Sequence, residues 1–256
     1  MKLAVLSDIH GNLLALQGVL ADVARQGVDQ IVHLGDLLSG PLQPAETADL
    51  LMAQAVPTIR GNHERQVLAL LDQGRPLDPL DTDGYTAAQL RPEHVRWLRT
   101  LPASLALTPD VLLCHGTPRS DLEYWLETTE PGFGQAHATG LRPATQPEVV
   151  ARMEGVTASL VLCGHTHVPR AVQVGDTLVV NPGSVSLQAY DDVHPHPHVV
   201  EIGTPHARYA VVQRCAEGWK VELRAVPYDH GAQADLADSR GRPDWAYALR
   251  TGWALR

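Results

Sequence analysis

Five short, mostly apolar runs, each followed closely by a polar motif, constrain what this chain can fold into. Continuous apolar runs of this length are typical of strands that are buried on both faces of a parallel sheet. In chain order the motifs are Asp8-Ile9-His10-Gly11-Asn12, Gly35-Asp36, Gly61-Asn62-His63-Glu64, Cys114-His115-Gly116 and Gly164-His165-Thr166-His167. Because open α/β sheets bind ligands outside the carboxyl ends of their strands, these polar residues are predicted to meet at one sheet edge.

The first motif indicates how such residues would reach one cation. The run Leu3-Ala4-Val5-Leu6 predicts a buried strand that leads into Asp8. In an extended segment, residues two apart point to the same side, so Asp8 and His10 are predicted to bind one ion together. Gly11 gives the backbone the freedom to bend beside them. The other four strand ends repeat this arrangement, which predicts a metal site shared by several segments.

The chain length of 256 residues fits one large domain or two small ones. No shift in composition marks a boundary, and 44% of the residues are hydrophobic, which suffices for a large core. We therefore expect a single domain over residues 1–256, with a core over 1–190 and a C-terminal hairpin and helical tail over 205–256.

The formal net charge of −9 argues against an extended nucleic-acid-binding surface, because such surfaces collect lysine and arginine on one face. Two divalent cations would instead supply local positive charge for a small phosphoester. The chain starts without an apolar signal segment, and no run of about eighteen apolar residues follows. We therefore expect a cytoplasmic protein with no membrane partner.

Apolar spacing and turn-forming residues predict the order of the elements. The predicted helices cover residues 12–26, 44–54, 63–71 and 86–101, with a helical tail over 235–256. A surface loop is predicted over 72–83, and an irregular segment over 117–146 is a candidate lid. Two β-hairpins are predicted, over 171–180 and 209–226.

In this order, the motifs Asp-x-His, Gly-Asp, Gly-Asn-His-Glu, His-Gly and Gly-His-Thr-His resemble those of the calcineurin-like metallophosphoesterase superfamily. The resemblance covers residues 3–185 with all five motif blocks, so it is far more specific than any one short motif. It implies an α/β fold, a four-layer αββα sandwich of two mixed β-sheets flanked by helices, with metals at the strand ends. Within the superfamily, the segment that contains Gly35-Asp36 looks closer to that of the small bacterial phosphodiesterases than to that of the protein phosphatases.

The resemblance also implies ligands for two metal ions. The first metal would be held by Asp8, His10, Asp36 and His167, and the second by Asp36, Asn62, His115 and His165. Asp36 would then bridge the two ions, which lie about 3.5 to 4 Å apart in two-metal sites. Imidazole and carboxylate ligands suit transition metals, so manganese is expected, with iron or zinc as alternatives.

His63, Asp36 and Asn62 are predicted as the catalytic group. The implied reaction is hydrolysis of a phosphodiester in a small or nucleotide-like substrate by a hydroxide that bridges the two metals. His63 follows the ligand Asn62 but is not itself a ligand. The resemblance therefore gives it the protonation of the departing alkoxide, a role that suits a near-neutral imidazole.

One segment departs from the pattern of the protein serine/threonine phosphatases in this superfamily. They carry Gly-Asp-x-x-Asp-Arg-Gly, whereas this chain has Gly35-Asp36-Leu37-Leu38-Ser39-Gly40-Pro41. Without the arginine, a dianionic monoester loses a clamp. Without the aspartate, His63 is expected to lack the partner that orients its ring. A phosphodiesterase is therefore favoured over a protein phosphatase.

Several alternatives remain open at this point. One is a phosphatase acting on dinucleoside polyphosphates or phosphomonoesters, and another is a non-catalytic metal-binding scaffold, which the presence of His63 and every ligand disfavours. Asn12, Arg119 and Tyr124 are candidate substrate contacts, although Arg119 and Tyr124 are equally compatible with a role as loop anchors. The segment His194-Pro195-His196-Pro197-His198 is either a third metal site or a solvated loop, and its prolines favour the loop.

Overall fold

Two main mixed sheets organise the chain, whose computed structural model describes residues 1–74, 76–135, 138–153 and 155–256. The first sheet contains β1 (Lys2–Leu6), β2 (Gln30–His33), β12 (Ala207–Cys215) and β13 (Gly218–Val226) in the order β13-β12-β1-β2. The second contains β3 (Ser104–Thr108), β4 (Val111–Cys114), β7 (Leu160–Leu162), β8 (Arg170–Val174) and β9 (Thr177–Asn181) in the order β3-β4-β7-β9-β8. The first sheet has one parallel pair, β1 with β2, at one edge of the strand order. The second has two at its centre, β4 with β7 and β7 with β9.

The remaining elements flank these sheets or connect their strands. Two short hairpins are formed by β5 (Glu127–Thr129) with β6 (Leu141–Pro143) and by β10 (Ala189–Asp192) with β11 (His198–Glu201). The helices are α1 (Leu13–Val23), α2 (Pro44–Gln54), α3 (Asn62–Gln73), α4 (Thr82–Gln89), α5 (Pro92–Thr100), α6 (Gln146–Ala151), α7 (His230–Ser239) and α8 (Pro243–Thr251).

Strand β1 explains why its apolar run is continuous. Leu3 and Val5 pack between the two sheets, whereas Ala4 and Leu6 pack against the helices on the outer face. Successive side chains of a strand point to opposite faces, so a strand covered on both sides needs apolar residues at every position. On the far side of the second sheet, Val161 packs with residues that include Val149 of α6. The predicted sandwich of two mixed sheets with flanking helices is confirmed.

The predicted hairpins over 171–180 and 209–226 are present as β8–β9 and β12–β13. The second lies inside the first main sheet, because β12 pairs with β1 in an antiparallel register. It is therefore not an addition to a core that ends at residue 190. The predicted tail over 235–256 begins earlier and consists of two helices, α7 and α8, separated by Gly241 with a φ of 73°.

The predicted single helix over 86–101 is wrong, because the chain forms α4 and α5 there. Pro92 occupies the first turn of α5, and the preceding residue Arg91 is extended with a ψ of 161°. Proline disfavours helical backbone in the residue before it, so one continuous helix cannot run through Arg91. Helix α4 in turn begins at Thr82, inside the predicted loop over 72–83, with Asp81 as its N-cap. Residue 75 of that loop and residues 136–137 of the predicted lid lie outside the described residues.

None of the helices in the described ranges is long and apolar enough to cross a membrane.

Candidate metal centre

The loops that follow β1 and β2 hold the first two motifs side by side. The backbone N–H of Asp8 donates to the carbonyl of Gly35 at 3.1 Å, and that of His10 donates to the carbonyl of Asp36 at 3.0 Å. The second sheet delivers its motifs in the same way, because the N–H of Gly164 donates to the carbonyl of His115 at 2.7 Å. Parallel neighbouring strands therefore bring these polar residues to one edge, as the sequence predicts. The run before Asn62 differs, because it forms an isolated bridge between Thr58 and His33 and not a strand.

Six of the seven predicted metal ligands fall into two compact groups, and the candidate ligand atoms within each group lie within 4.8 Å of one another. The groups are Asp8, His10 and His167, and Asp36, His115 and His165. The seventh residue, Asn62, joins the second group, since its Oδ1 lies 3.1 Å from Nε2 of His115. The structure thus brings the whole predicted set together. Its division between two ions stays a prediction, as does the bridging role of Asp36.

Hydrogen bonds to backbone carbonyls set the tautomers of two histidines in the first group. Nδ1 of His10 lies 2.7 Å from the carbonyl oxygen of Ser39, and Nδ1 of His167 lies 2.7 Å from that of Leu187. Since a carbonyl only accepts, each Nδ1 carries the proton and each Nε2 of a neutral ring carries a lone pair. The two Nε2 atoms face each other at 3.1 Å in a buried position. A cation held by both lone pairs would remove this repulsion, so the donor set fits a metal.

The second group shows the same arrangement around His115. Its Nδ1 donates to the carbonyl of Leu34 at 2.8 Å, while its Nε2 lies 3.0 Å from Oδ2 of Asp36. A neutral His115 would direct a lone pair at the oxygens of Asp36 and Asn62. Burial would lower the pKa of His115, but Asp36 outweighs it and raises that pKa to about 9, which favours a proton between the two groups. A divalent cation would take the place of that proton.

Backbone strain is concentrated in the candidate ligands. Among the described residues, six that are not glycine have a positive φ, and five of them are Asp8 (55°), His10 (49°), Asp36 (51°), His165 (70°) and His167 (59°). Such conformations cost about 1–3 kcal/mol each and persist where surrounding structure enforces them, often at functional sites. The expected extended geometry at Asp8 and His10 is therefore wrong, although the two side chains do converge.

Neighbouring histidines keep the carboxylate of Asp36 ionised. Burial of Asp36 favours the neutral acid, but His115 and His63 outweigh burial and hold its pKa well below the usual value. Burial also lowers the pKa of His10 and of His165 to about 4, which keeps both rings neutral at neutral pH. Ionised carboxylates and neutral imidazoles are the protonation states that bind metals.

Two motif glycines are required by close approach to the site. A Cβ atom on Gly61 would lie 2.2 Å from Oδ1 of Asp36, and one on Gly164 would lie 2.0 Å from Oγ of Ser7. Both distances are far inside van der Waals contact. Glycine at these positions therefore lets the loops after separate strands close around the candidate ligands.

Glu64 has a structural role that the sequence did not reveal. Its buried carboxylate accepts hydrogen bonds at 2.8 Å from the backbone N–H groups of Asp36, Leu37 and Gly61. One side chain therefore joins the loop after β2 to the start of α3. Its place in the Gly-Asn-His-Glu motif follows from this support of the ligand loops.

The structure corrects the expectation that His63 lacks an orienting partner. Nδ1 of His63 lies 2.8 Å from Oδ1 of Asp83, which also accepts a hydrogen bond from the hydroxyl of Ser39. Asp83 lies in the first turn of α4, the helix that was not predicted there. Burial would lower the pKa of His63, but Asp36 and Asp83 raise it to about 10, which favours the protonated ring.

A cavity of about 1080 Å³ opens beside the two groups. Its wall includes His63 and two of the predicted substrate contacts, Arg119 and Tyr124. Arg119 pairs with Glu123 through two contacts of 2.8 Å, and the hydroxyl of Tyr124 lies 2.7 Å from that of Tyr190. Both residues are therefore anchored and also adjacent to any substrate in the cavity.

Asn12 is placed differently, because it is fully buried and lies outside the described lining of this cavity. Its Oδ1 accepts the N–H of Ala15 at 3.0 Å and thereby caps α1. Its Nδ2 donates to the hydroxyls of Ser186 and Tyr228 at 3.2 and 3.1 Å. The structure therefore places Asn12 as a helix cap outside the described lining, and asparagine's preference for the N-cap position explains why it is there.

Replacing Asn12 with alanine is expected to lower the free energy of unfolding by about 1–2 kcal/mol, since a helix cap and two buried hydrogen bonds are lost. Denaturant unfolding measures this change. The kcat/KM for a phosphodiester should stay within about twofold of wild type, because the side chain does not reach the cavity. A large loss of kcat/KM with normal stability would restore Asn12 as a substrate contact.

The histidine- and proline-containing segment is divided between two environments. His194 is highly exposed in the loop between β10 and β11, as predicted for a solvated segment. His198 contradicts that prediction, because it is buried at the start of β11 and its Nε2 lies 3.0 Å from the hydroxyl of Tyr124. This hydrogen bond supports the cavity wall at Tyr124. The two groups of candidate ligands found among the described residues include neither histidine.

The chain matches the model of the calcineurin-like phosphoesterase superfamily domain over residues 1–204. It therefore belongs to the calcineurin-like phosphoesterase superfamily, as the motifs predict. The two groups at the sheet edge are consistent with the dimetal centre that this family implies.

Individual relatives share much of the chain. The phosphodiesterase YfcE of Escherichia coli strain K12 is 29% identical over 197 residues, which are 73% of this chain and 80% of that protein. The uncharacterized protein MJ0912 of Methanocaldococcus jannaschii is 25% identical over 254 residues, 95% of this chain and 94% of its own. The crystal structure of a metallophosphoesterase from Sphaerobacter thermophilus has a TM-score of 0.75 at 24% identity and covers 98% of this chain and 100% of its own. That structure shows the same fold.

Proposed function

We propose that this protein is a dimetal phosphoesterase that hydrolyses phosphodiesters of small or nucleotide-like molecules. The observation that carries the proposal is the pair of candidate ligand groups at one sheet edge, in one of which Nε2 of His10 and Nε2 of His167 face each other at 3.1 Å. The similarity to a phosphodiesterase of Escherichia coli favours diesters within the family's chemistry.

The proposed ligand set divides the seven residues between two cations that share Asp36. One cation would be held by Asp8, His10, Asp36 and His167, and the other by Asp36, Asn62, His115 and His165. Imidazole, carboxylate and amide ligands suit manganese, with iron or zinc as alternatives. When bound, the two cations would supply positive charge for the phosphoryl oxygens and would lower the pKa of bound water.

The side chains of the protein provide proton transfer and positioning. Asp83 engages Nδ1 of His63, so Nε2 is the ring nitrogen that can reach a substrate in the cavity. A protonated Nε2 donates to the oxygen of the departing alcohol as its bond to phosphorus breaks. The backbone N–H of His63 donates to Oδ1 of Asp36 at 3.1 Å, which fixes this acid relative to the candidate metal ligands.

A diester is favoured over a protein phosphoserine or phosphothreonine by what surrounds the site. The segment after Asp36 lacks the arginine that would clamp a dianionic monoester, as the sequence indicates. In the cavity, Arg119 is paired with Glu123 and Arg242 with Asp244. These paired guanidinium groups are poorly placed to compensate the second negative charge of a monoester.

Removal of the metals tests the proposal directly. We expect a chelator to lower hydrolysis of bis(4-nitrophenyl) phosphate by at least about a hundredfold, with recovery when manganese is added back. Elemental analysis of the reloaded protein should give about two metal equivalents per chain. Activity that persists after complete metal removal would contradict the proposal, as would inactivity with each of manganese, iron and zinc. Faster hydrolysis of 4-nitrophenyl phosphate would instead identify a monoesterase.

Asp83 is proposed as the residue that positions His63. Replacing Asp83 with asparagine should lower kcat by about tenfold or more, with KM and metal content nearly unchanged, because the ring loses an ionised partner. The pH profile of kcat should shift to lower pH, since Asp83 helps to raise the pKa of His63. Asp81→Asn is the matched control, because asparagine still caps α4. An equal loss in both variants would mean that Asp83 acts only through the helix.

A further inference from the structure

The cavity has a second wall that lies beyond the family match. The matched region ends at residue 204, whereas Arg242, Trp245, Ala254 and Leu255 line the cavity together with the candidate metal ligands. These residues come from the start of α8 and from the segment that follows it. The C-terminal part of this chain therefore forms one side of the space that a substrate would enter.

Trp245 is fixed against the candidate metal centre. Its ring centroid lies 5.9 Å from that of His10 in an edge-to-face arrangement, and its side chain is buried in a cluster with Leu42, Leu187 and Leu249. A Cβ atom on Gly40 would lie only 3.1 Å from Cη2 of this ring, which shows how closely the loop after β2 approaches it. Trp245 is thus a rigid part of the wall.

Arg242 connects this wall to the proposed acid. Its Nη1 donates to Oγ1 of Thr82 at 2.9 Å, and Thr82 immediately precedes Asp83, the partner of His63. The guanidinium carbon of Arg242 lies 5.8 Å from the ring centroid of Trp245. His63 and Trp245 also flank the same side chain, because their ring centroids lie 5.5 and 5.9 Å from that of His10. The C-terminal wall of the cavity therefore lies on the same side of the metal centre as His63, the proposed proton donor.

Charge on the walls discriminates against a polyanionic group. Among the described residues that line the cavity away from the metal ligands, the arginines are Arg119 and Arg242 and the carboxylates are Glu123, Asp191, Asp192 and Asp244. Both arginines are already paired with a carboxylate. Beyond the metal centre, negative charge is therefore in excess, and a second phosphate would be repelled. Apolar lining residues such as Leu187 and Leu255 favour an uncharged group instead.

From this juxtaposition we infer that Arg242, Trp245 and Leu255 form a binding site for the leaving alcohol of the substrate, and that this alcohol is aromatic or apolar and carries no further phosphate. The inference rests on the proposed phosphodiesterase activity and deepens it by defining the substrate class. The volume of about 1080 Å³ accommodates a group as large as a nucleoside.

Two aryl diesters show whether Trp245 contacts the leaving group or the group that is retained on phosphorus. In methyl 4-nitrophenyl phosphate only the leaving group is aromatic, whereas in bis(4-nitrophenyl) phosphate both groups are. Trp245→Ala in the manganese-loaded protein should lower kcat/KM for both substrates by about tenfold, because an aromatic contact to the shared leaving group is lost. A loss confined to the second substrate would overturn the inference, since Trp245 would then bind the retained group.

Matched variants keep the test independent of folding and metal content. Trp253→Ala removes another C-terminal tryptophan, which is half exposed and outside the described lining of the cavity, and should leave both kcat/KM values unchanged. Leu255→Ser changes the same wall at a half-exposed position without touching a candidate ligand, and should lower both values by about threefold. If Trp245→Ala proves poorly folded or binds less metal, the result with Leu255→Ser decides. Wild-type kinetics for Leu255→Ser would then overturn the inference.

Binding of a substrate analogue and hydrolysis of a polyphosphate provide two further tests. Calorimetry with methyl benzylphosphonate, which cannot lose its benzyl group by P–O cleavage, should show affinity about tenfold weaker for Trp245→Ala than for wild type. Diadenosine tetraphosphate should be hydrolysed with a kcat/KM at least about tenfold below that for bis(4-nitrophenyl) phosphate, because of the wall carboxylates. Preference for the tetraphosphate would overturn the inference while leaving metal-dependent phosphoester hydrolysis intact. Failure of the wild-type protein to hydrolyse either diester would instead refute the proposed function.

Discussion

Replacing Asp36 with asparagine is expected to lower phosphodiester hydrolysis by roughly a thousandfold and to reduce the bound metal below two equivalents. The carboxylate lies 3.0 Å from Nε2 of His115 and accepts the backbone N–H of His63 at 3.1 Å. It is also the residue that both proposed cations share. Asparagine has the same shape but no charge, so the variant removes the anion and largely preserves the packing. Steady-state kinetics and elemental analysis of the same preparation measure both effects.

A second buried carboxylate provides the control for Asp36→Asn. Asp22 accepts a hydrogen bond from the hydroxyl of Tyr209 at 2.5 Å and one from Nε of Arg224 at 3.0 Å. It belongs to neither group of candidate ligands. Asp22→Asn should lower stability without lowering metal content. If both variants lost metal equally, the effect at Asp36 would reflect general destabilisation, and its proposed role would be wrong.

The strand ends could be predicted because their signal is local. The run from Leu3 to Leu6 is apolar at every position since β1 is covered on both faces, and the polar motif starts where that cover ends. Parallel pairing of neighbouring strands then brings distant motifs to one edge without further information. For the same reason the location of the candidate metal centre was accessible from the motif pattern. The candidate ligand set itself came from the family resemblance, and the structure brings its seven residues together.

The backbone conformation at the site could not be predicted from the sequence, because tertiary contacts enforce it. The sequence suggested extended geometry for Asp8 and His10, yet both have a positive φ. Such a conformation is unfavourable for these residues alone and is maintained by hydrogen bonds to the neighbouring loop, including that from the N–H of His10 to the carbonyl of Asp36. No nearby residue in the sequence encodes a contact of this kind.

Asp83 shows how one missed helix boundary hides a functional residue. Periodicity joined α4 and α5 into one helix and placed Asp83 in a surface loop. In the structure, the break before Pro92 separates the two helices, and the cap at Asp81 starts α4 at Thr82. Asp83 therefore lies in the first turn of α4, where it contacts His63. The partner of His63 therefore comes from a different segment than in the protein phosphatases of the superfamily. The distance between residues 63 and 83 in the chain leaves no short motif by which to recognise the pair.

Replacing His63 with alanine is expected to lower kcat by about a hundredfold to a thousandfold for a diester with an alkyl leaving group, with two metal equivalents retained. The loss should be much smaller for a 4-nitrophenyl leaving group, because 4-nitrophenolate departs readily without a proton. This contrast separates a proton donor from a residue that only shapes the site, and the ratio of kcat values for the two substrates measures it. His196→Ala, in the loop before β11, is the control and should leave both rates near wild type. Loss of metal from His63→Ala would reassign His63 as a ligand, and equal losses for the two leaving groups would mean that His63 does not transfer the proton.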